Sequence, residues 1–365
     1  MKKFVKPYLI LAIVLSLFTT TILAGCNKTN NTNGNSTNTT NNTNGAGNSK
    51  TYTISDYYPF VANLKTAYAG TGNEFASKTE YVDYIKGDKI QIRSDNGGTV
   101  SAKILQNKNG ELTLLNSEGE KYFKQDITSL TANKNEVLLK EPLAKGTNWV
   151  LADGSKRSIT GVNVDVSTPL GSYKALEVTT EGSNYQNKDY YVLNMGLVKT
   201  VYISGGSEIS SSLKEYTKDN PLVQNVRFYN FKVTTTDIQV VYKEIPINLK
   251  TNDEIKDVFQ SYFRQPLVNG TMALMSSNTV INSVGLNTSD RKVYVDFSQQ
   301  FVTEMNAGTT KETGVLRSVT DTLGYYYGVD KVIITIDGQP YSSGHILMDK
   351  GEAFKTNYNG ALKVQ

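Results

Sequence analysis

The chain has 365 residues, which is long enough for two or three domains, and its formal net charge is +4. It contains one cysteine and one histidine. These counts exclude an internal disulfide framework, a multi-cysteine metal site and a histidine-based metal cluster, and a Ser/His/Asp triad would have to use His345. The composition therefore favours a protein without a metal, a cofactor or enzymatic activity.

The amino-terminal residues have the pattern of a secretory signal. Three lysines precede an apolar run from Pro7 to Ala24, which is typical of a signal peptide. The Leu-Ala-Gly-Cys sequence that ends at Cys26 resembles the lipobox of bacterial lipoproteins. The resemblance implies that residues 1–25 are removed and that Cys26 is diacylated. The alternative is a transmembrane anchor, because an apolar run of 18 residues is at the lower limit for spanning a bilayer.

Residues 26–50 are predicted to be a disordered tether. The segment from 27 to 50 contains ten asparagines, six threonines and no aliphatic side chain larger than alanine. Such a segment buries too little apolar surface to offset its ordering entropy. Without residues 1–25 the net charge is +1, and the signal pattern predicts that the chain lies outside the cytoplasm, so we expect no binding of nucleic acid.

Residues 51–217 are predicted to form a curved antiparallel β-domain. Polar and apolar residues alternate in several runs, and Asn-Gly or Asp-Gly pairs, which favour two-residue hairpin turns, stand between them. The segment 189–199 is similar to the closing hairpin of envelope half-barrel domains, in which a sheet wraps a helix or an apolar ligand. A plain β-sandwich is the alternative. The clearest alternating runs are 89–93, 103–105 and 111–115.

The segment 218–221 is predicted to be a domain boundary, because it combines polar residues with a proline. Beyond it, the order of predicted strands and helices is β-β-α-β-β-α-β. This order predicts an α/β sandwich with two helices packed on one mixed sheet, so the whole chain is expected to be an α+β multidomain protein. The second domain is expected to cover residues 222–350, with 351–365 as a carboxy-terminal extension.

Both helices of the second domain have recognisable ends. Thr251 and Glu254 form a capping-box pattern before the apolar stripe of the first helix. Thr309 and Glu312 have the same pattern before the second helix, and Gly328 is expected to end it in the left-handed conformation. The two threonines are therefore predicted to be N-caps.

Five segments of the second domain occur in this order in a known family. They are the helix end Tyr262–Pro266, the strand Asn282–Val284, the strand Val293–Ser298 followed by Phe301, the segment Gly328–Val332 and the turn Asp337-Gly338. Together they resemble the GerMN domain of sporulation and spore-germination lipoproteins, with Arg264-Gln265 in place of the usual glycine before the proline. The resemblance implies a role in the envelope of a spore-forming bacterium, where such domains support the assembly or placement of sporulation complexes.

Few residues are candidates for catalysis. His345 would need an orienting carboxylate and a nucleophile, and a structural histidine is the better interpretation. Asp296, Glu304 and Glu312 could supply a carboxylate pair for glycan hydrolysis, but the alternation places Asp296 toward solvent and the capping box explains Glu312. We therefore assign no catalytic residue.

Tyr325, Tyr326 and Tyr327 form the candidate interface. Three successive residues on a helix point in three directions, so at least one ring is expected at the surface, and exposed tyrosines are enriched in interfaces. The alternative is that the three rings only cover the end of a sheet.

The sequence thus predicts a non-catalytic lipoprotein, anchored by lipid to the outer face of the cell membrane. Its GerMN-like domain is expected to dock envelope or sporulation-complex proteins, or further copies of the chain. The alternative function is a carrier that holds a lipid or a cell-wall precursor in the curved β-domain.

Overall fold

Residues 65–217 form one antiparallel sheet of twelve strands in the computed structural model, which describes residues 51–235 and 237–365. The predictions on the signal peptide, Cys26 and the tether lie outside the described residues. The strands are β1 (Lys65–Thr71), β2 (Lys78–Lys86), β3 (Lys89–Asp95), β4 (Val100–Lys108), β5 (Glu111–Glu118), β6 (Glu136–Lys140), β7 (Asn148–Val150), β8 (Lys156–Thr168), β9 (Gly171–Glu181), β10 (Tyr185–Val192), β11 (Gly196–Ser204) and β12 (Ser207–Thr217).

The order of these strands brings the two ends of the chain segment together. It is β6-β5-β4-β3-β2-β1-β12-β11-β10-β9-β8-β7, so β1 pairs with β12 in the middle, and β6 and β7 are the two edges. The edges approach each other, because the Trp149 indole and the Arg157 guanidinium both donate to the Val137 carbonyl of β6, at 3.0 and 2.7 Å. The sheet is therefore a nearly closed barrel. The curved antiparallel domain is confirmed, and the sandwich alternative is wrong.

A short helix, α1 (Ile54–Tyr57), buries Ile54 and Tyr57 inside the barrel, while Ser55 is exposed. Its apolar side chains pack among residues of strands on all sides of the sheet. The Ile54 amide donates to the Glu141 carboxylate at 2.8 Å, and the Asn194 amide donates to the Asp56 carbonyl at 2.7 Å. Asn194 lies in the turn between β10 and β11, so the hairpin predicted at 189–199 helps to hold the helix that the sheet wraps.

The predicted turn chemistry is present where two strands meet tightly. Asn109 and Gly110 join β4 to β5 with φ angles of 54° and 73°. Both central residues of such a turn need a positive φ, which asparagine and glycine adopt at the lowest cost. The predicted two-residue turn of this hairpin is therefore present.

Residues 222–365 form two smaller sheets and three helices. One sheet has the order β13-β14-β20, and the other has the order β15-β16-β17-β18 with β19 also paired to β17. The strands are β13 (Leu222–Val233), β14 (Ile238–Leu249), β15 (Ile281–Asn287), β16 (Lys292–Phe297), β17 (Lys331–Ile336), β18 (Gln339–Pro340), β19 (Phe354–Lys355) and β20 (Leu362–Lys363). The helices are α2 (Ile255–Phe263), α3 (Gln300–Thr303) and α4 (Thr309–Tyr327).

The expectation of one mixed sheet is only partly right. The second sheet is mixed, because β16 and β17 are parallel and its other pairs are antiparallel. However, β13 and β14 form a separate hairpin, which packs on α4 through the buried ring of Phe231. A Cβ atom on Gly314 of α4 would lie 2.8 Å from that ring, so helix and strand approach as closely as a missing side chain allows. Gly328 ends α4 with φ of 69°, as predicted.

Neither predicted N-cap threonine has that role. Thr309 lies inside α4, and its N-cap is Gly308. Thr251 precedes α2, but its hydroxyl donates to the Val82 carbonyl at 2.8 Å and accepts from the Asn63 amide at 2.7 Å. Thr251 therefore bonds to the β-domain rather than to its own helix, and a local capping pattern carries no information about such a distant partner.

The carboxy-terminal residues are part of the fold. In the segment expected to be an extension, β19 pairs with β17 and β20 pairs with β14. The Arg317 guanidinium on α4 donates to the carbonyls of Asn357 and Asn359, at 2.6 and 2.8 Å. No helix among the described residues is long and apolar enough to cross a membrane.

The two regions are joined by a strap, which we define as residues 119–135. Arg93 of β3 forms a buried ion pair with Asp83 at 2.9 Å and donates to the Phe123 carbonyl of the strap at 2.8 Å. On its other side, the Lys124 amide of the strap donates to the Tyr326 hydroxyl of α4 at 2.8 Å. Thr51–Gln365 is accordingly one compact unit.

Candidate functional site

The interior of the β-domain contains a cavity of about 650 Å³. This volume lies within the range of roughly 300–1,000 Å³ that is usual for small-molecule sites. Strands from both halves of the sheet line it, so the barrel closure itself creates the space. Its apolar wall consists of Ile92, Leu105, Leu114, Leu138, Leu151 and Leu197.

A cluster of charged side chains lies on the wall formed by β2 and β4. The Lys78 ammonium is 2.8 Å from one carboxylate oxygen of Glu80, and the Lys103 ammonium is 3.7 Å from the same oxygen. The Ser94 hydroxyl also donates to this oxygen, at 3.1 Å. Burial opposes ionisation of Glu80, but the two ammonium groups and the hydroxyl outweigh it and lower its pKa to about 2. The Glu80 carboxylate is therefore charged, and two cations share it.

The two lysines of this cluster are not equivalent. Lys78 forms the close ion pair and lies 4.5 Å above the ring of Tyr68. The pKa of Lys103 is lowered, first by the positive charge of Lys78 and then by burial. Its side chain is one third exposed (33%), against 19% for Lys78. Lys103 is therefore the ammonium that is less neutralised and more accessible from the cavity.

An acidic residue, Asp189, lies on another part of the lining, on β10. It accepts from the Thr200 hydroxyl at 2.8 Å and from the Asn187 amide at 2.9 Å. Burial raises the pKa of Asp189, because these neutral donors only partly compensate for the lost hydration. No cation within 4 Å of its carboxylate is found in the part of the chain that the structure describes.

Arg157 adds a fixed cation to the lining beside the barrel seam. Its guanidinium donates to the Thr180 hydroxyl, the Val137 carbonyl and the Glu136 carboxylate, each at 2.7 Å. The residue is buried, and its donors are used within the wall. Arg157 therefore stabilises the seam and contributes little free binding capacity.

Two stacked tyrosines lie where the lining reaches solvent. The rings of Tyr185 and Tyr202 are 5.5 Å apart, with an angle of 24° between their planes, and Tyr202 is 37% exposed. Both residues line the cavity. The arrangement thus combines an apolar wall, an internal cluster with two cations, and an aromatic pair near the opening, which suits an amphipathic molecule.

The three tyrosines of the candidate interface have different environments. Tyr325 is 43% exposed, which agrees with the expectation that at least one ring reaches the surface. The Tyr326 hydroxyl donates to the Gln224 amide oxygen at 3.0 Å, and Tyr327 is buried with its ring centre 4.9 Å from that of Phe123. Tyr326 and Tyr327 therefore contribute to the joint between the two regions, and only Tyr325 is left to present its ring. Its role as an interface stays a prediction.

Tyr325 belongs to an exposed aromatic cluster. Its ring lies 4.0 Å from the guanidinium carbon of Arg227, and the ring of Tyr242 lies 4.3 Å from the same atom. The Glu244 carboxylate accepts from Arg227 on its remaining side. The Tyr325 ring also packs edge-on against Tyr358, at 5.9 Å. The Arg227 guanidinium is therefore surrounded by two aromatic rings and a carboxylate of the cluster.

The candidate catalytic residues are not brought together as an acid–base pair. His345 is exposed, and its backbone amide donates to the Ser343 hydroxyl at 3.1 Å. Glu312 is buried and accepts from the Tyr341 hydroxyl at 2.7 Å, so the explanation of Glu312 by a capping box is wrong. Asp296 is half-buried and accepts from Thr335 and from the amide of Gly338, at 2.6 and 2.8 Å.

The cavity residues were missed by the sequence analysis. Their signal is an alternation of polar side chains within single strands, as in Lys78 and Glu80 of β2 or Asn187 and Asp189 of β10. In a half-barrel this period of two places polar groups on the inner face. A predicted barrel together with this alternation would have placed these polar residues on the inner face.

Comparison with known proteins gives a family match only for part of the second region, residues 222–365. Residues 225–342 match the family Germane, described as "Sporulation and spore germination". The tandem GerMN domains of the sporulation protein GerM from Bacillus subtilis are 23% identical over 33% of this chain and 41% of that one, with a TM-score of 0.26. This chain thus spans less than half the length of that protein. The predicted GerMN resemblance is confirmed for this segment.

Two further solved structures match parts of the chain. A lipoprotein from Clostridium perfringens is 21% identical over 38% of this chain and 93% of that one, with a TM-score of 0.24. An exported protein with a YmcC-like fold from Bacteroides fragilis is 10% identical over 44% of this chain and 99% of that one, with a TM-score of 0.27. No curated protein sequence matches the chain.

Proposed function

We propose, from the premise that residues 225–342 form a Germane domain, that this chain is a lipid-anchored, non-catalytic binding protein on the outer face of the cell membrane. Its β-domain holds a small amphipathic molecule of the envelope. The observation that carries the proposal is the cavity of about 650 Å³ between apolar and charged walls inside the barrel.

The physical argument is that the two walls of the cavity suit the two parts of an amphipathic molecule. An apolar chain that moves from water to an apolar wall gains burial energy, and a polar head gains hydrogen bonds or ion pairs with partly buried polar side chains. In the β-domain the chain fills part of the interior with α1 and leaves the rest lined by leucines and ion-paired side chains. A bound molecule with apolar and polar parts would recover both kinds of energy.

The anchor supports the same function. Lipidation of Cys26, which the lipobox predicts, would hold the folded unit at the membrane. The barrel would then sample the membrane surface, where amphipathic molecules are concentrated.

The test is native mass spectrometry of the protein released gently from membranes. Leu138→Trp should fill the cavity and abolish any co-purifying small molecule, because Leu138 lines the wall. Val150→Trp is the matched control, since Val150 is 70% exposed on the adjacent edge strand. We expect a bound molecule in the wild type and in Val150→Trp only. Equal occupancy in Leu138→Trp, or no ligand in any form, would contradict the function.

Docking of envelope or sporulation-complex proteins, or of further copies of the chain, is the second function that we propose. It is favoured by the match of residues 225–342 to the Germane family and by the exposed ring of Tyr325. Replacement of Tyr325 by a photocrosslinking residue should capture one or two defined proteins during sporulation. The same residue at Lys174, which is exposed on the β-domain, should capture none of them. Identical adducts from both positions would argue against a specific surface.

A further inference from the structure

We propose that the molecule held in the β-domain carries an acidic group, a carboxylate or a phosphate, that binds between Lys78 and Lys103, while its apolar part lies along the leucine wall of the cavity. This inference rests on the proposed binding function and names the chemical class of its ligand. It places the acidic head on the β2 and β4 wall and the chain against Leu105, Leu114 and Leu138.

The first argument is the count of charges within the cluster. Two ammonium groups share one carboxylate, and both approach the same oxygen of Glu80, at 2.8 and 3.7 Å. The cluster therefore has an excess of one positive charge. Partly buried cations that are not neutralised favour an anion as their partner, because hydration no longer screens them fully. A ligand anion would supply the second negative charge.

The second argument is the repulsion between the two lysines. The positive charge of Lys78 is the largest cause of the lowered pKa of Lys103, ahead of burial. An anion placed against Lys103 would offset this repulsion and form a charge-assisted hydrogen bond with an ammonium that is one third exposed. A neutral or cationic head would leave the repulsion in place or increase it.

The third argument concerns the other charges that line the cavity. Arg157 and Glu136 neutralise each other at 2.7 Å. Burial raises the pKa of Asp189, which weakens the negative charge that this residue presents to the cavity. Lys134 and Asp153 also line the cavity, but they carry opposite charges and both are exposed to solvent. The excess charge on the less exposed part of the inner wall is therefore the positive charge at Lys103. The apolar side of the ligand follows from the leucines, whose burial against a chain gains about 25 cal/mol per Å².

The experiment uses the chain from residue 27 onward, because the compact unit begins at Thr51. Titration calorimetry compares decanoate, decyl phosphate, decanol and decylamine, with inorganic phosphate as the anion without a chain. We expect the better of the two acidic amphiphiles to bind about tenfold tighter than decanol, as one charge-assisted contact implies. Their relative affinities assign the head group to the carboxylate or the phosphate class.

Lys103→Met should remove the preference for the acidic head and leave the affinity for decanol unchanged. Lys103→Arg should keep the preference, which separates lost charge from lost folding. Lys174→Met is the matched control, since this lysine pairs with Asp165 on the exposed β8–β9 hairpin. We expect it to behave like the wild type.

The outcomes separate the two levels of the proposal. If decanol binds as tightly as the acids, or if decylamine binds best, the acidic-head inference is overturned and the binding function stands. If inorganic phosphate binds as tightly as decyl phosphate, the apolar part of the ligand is overturned. If no amphiphile binds and no ligand co-purifies, the binding function itself fails.

Discussion

The interiors of the two regions of this chain are packed differently. In the β-domain, twelve strands enclose a cavity whose lining includes four basic and four acidic side chains. The second region, residues 222–365, has a filled interior: α4 is packed between two sheets, and rings such as Phe297 and Phe301 stack with centres 4.2 Å apart. The first region therefore has an internal cavity that could admit a ligand, whereas the second has a continuous packed core.

The strap links the outer face of the β-domain to the second region. Strap residues cover the outer face of β3, where Gln91 donates to the Gln125 carbonyl and accepts from the Ile127 amide, both at 2.9 Å. Gln125 in turn bonds to both backbone groups of Leu286 in the second region. The second region is thus hydrogen-bonded through the strap to the wall of the β-domain, and we expect the stabilities of the two regions to be coupled.

The largest loss of stability is expected from removal of the Arg93 side chain, which links β3 to the strap. Arg93→Ala would leave the Asp83 carboxylate buried without its cation, and two carbonyls of the strap without their donor. The free energy of unfolding should fall by about 3–5 kcal/mol, as for other broken buried ion pairs. Chemical denaturation measures this change.

The control for that variant is an ion pair in solvent. Lys174 and Asp165 lie 2.8 Å apart on the β8–β9 hairpin, with side chains 61% and 85% exposed. Lys174→Ala should change stability by less than about 1 kcal/mol. A loss at Arg93 as small as this would mean that the regions are not mechanically coupled.

A second pair of substitutions compares the two interiors directly. Phe259 of α2 is completely buried in the filled region, and Phe259→Ala should cost about 3–5 kcal/mol, because it creates a new cavity. Leu138 lines an existing cavity, so Leu138→Ala should cost only about 1–2 kcal/mol, mostly the transfer term. Equal losses at both sites, measured by denaturation, would argue that the β-domain interior is not hollow in solution.

The close approach of α4 and β13 gives a smaller effect. Gly314→Ala forces a methyl group to within 2.8 Å of the Phe231 ring, and overpacking of this kind should cost about 1–3 kcal/mol. Gly344→Ala is the control, since no atom lies within 4 Å of its added Cβ atom, and it should stay within about 0.5 kcal/mol of the wild type. Melting temperatures of the two variants test the difference.

The sequence predicted best what depends on short segments. The strand at Lys89–Asp95, the helix α2 and the left-handed stop at Gly328 follow from alternation, helical periodicity and the conformational freedom of glycine. The GerMN resemblance rests on an ordered set of such segments. All of them are encoded within about twenty neighbouring residues.

The rest depends on contacts between distant segments. Lys103 and Asp189 line one cavity only because β1 pairs with β12, which joins the two halves of the sheet across more than 130 residues of sequence. Thr251 has the pattern of an N-cap, yet its hydroxyl bonds to the β-domain. The sequence pattern marks Tyr326 and Tyr327 as interface candidates, but both residues contact the strap, between the two regions of the chain. No local pattern specifies which distant partner a side chain will meet.

The smallest effect concerns pH and a single carboxyl group in the filled region. Asp321 of α4 is fully buried, and burial raises its pKa from 3.8 to about 6, although the Asn357 amide and Arg317 partly offset this. The folded state therefore binds this proton more tightly than the unfolded state does. The stabilisation is complete below about pH 4 and is lost as the pH rises through about 6, so the free energy of unfolding should decline across this window.

Asp321→Asn should remove that decline and leave the Asn357 contact, because an amide oxygen can still accept from the backbone. Asp153→Asn in the β-domain is the opposite case. Hydrogen bonds from Ser155 lower the pKa of Asp153, so its stabilisation is present above about pH 4 and is lost as the pH falls. Denaturation midpoints between pH 3 and 7, measured for both variants, should therefore deviate from the wild type in opposite directions. If Asp321→Asn kept the wild-type slope, the carboxyl would have to be solvated, and the seal of the carboxy-terminal segment over α4 would be open in solution.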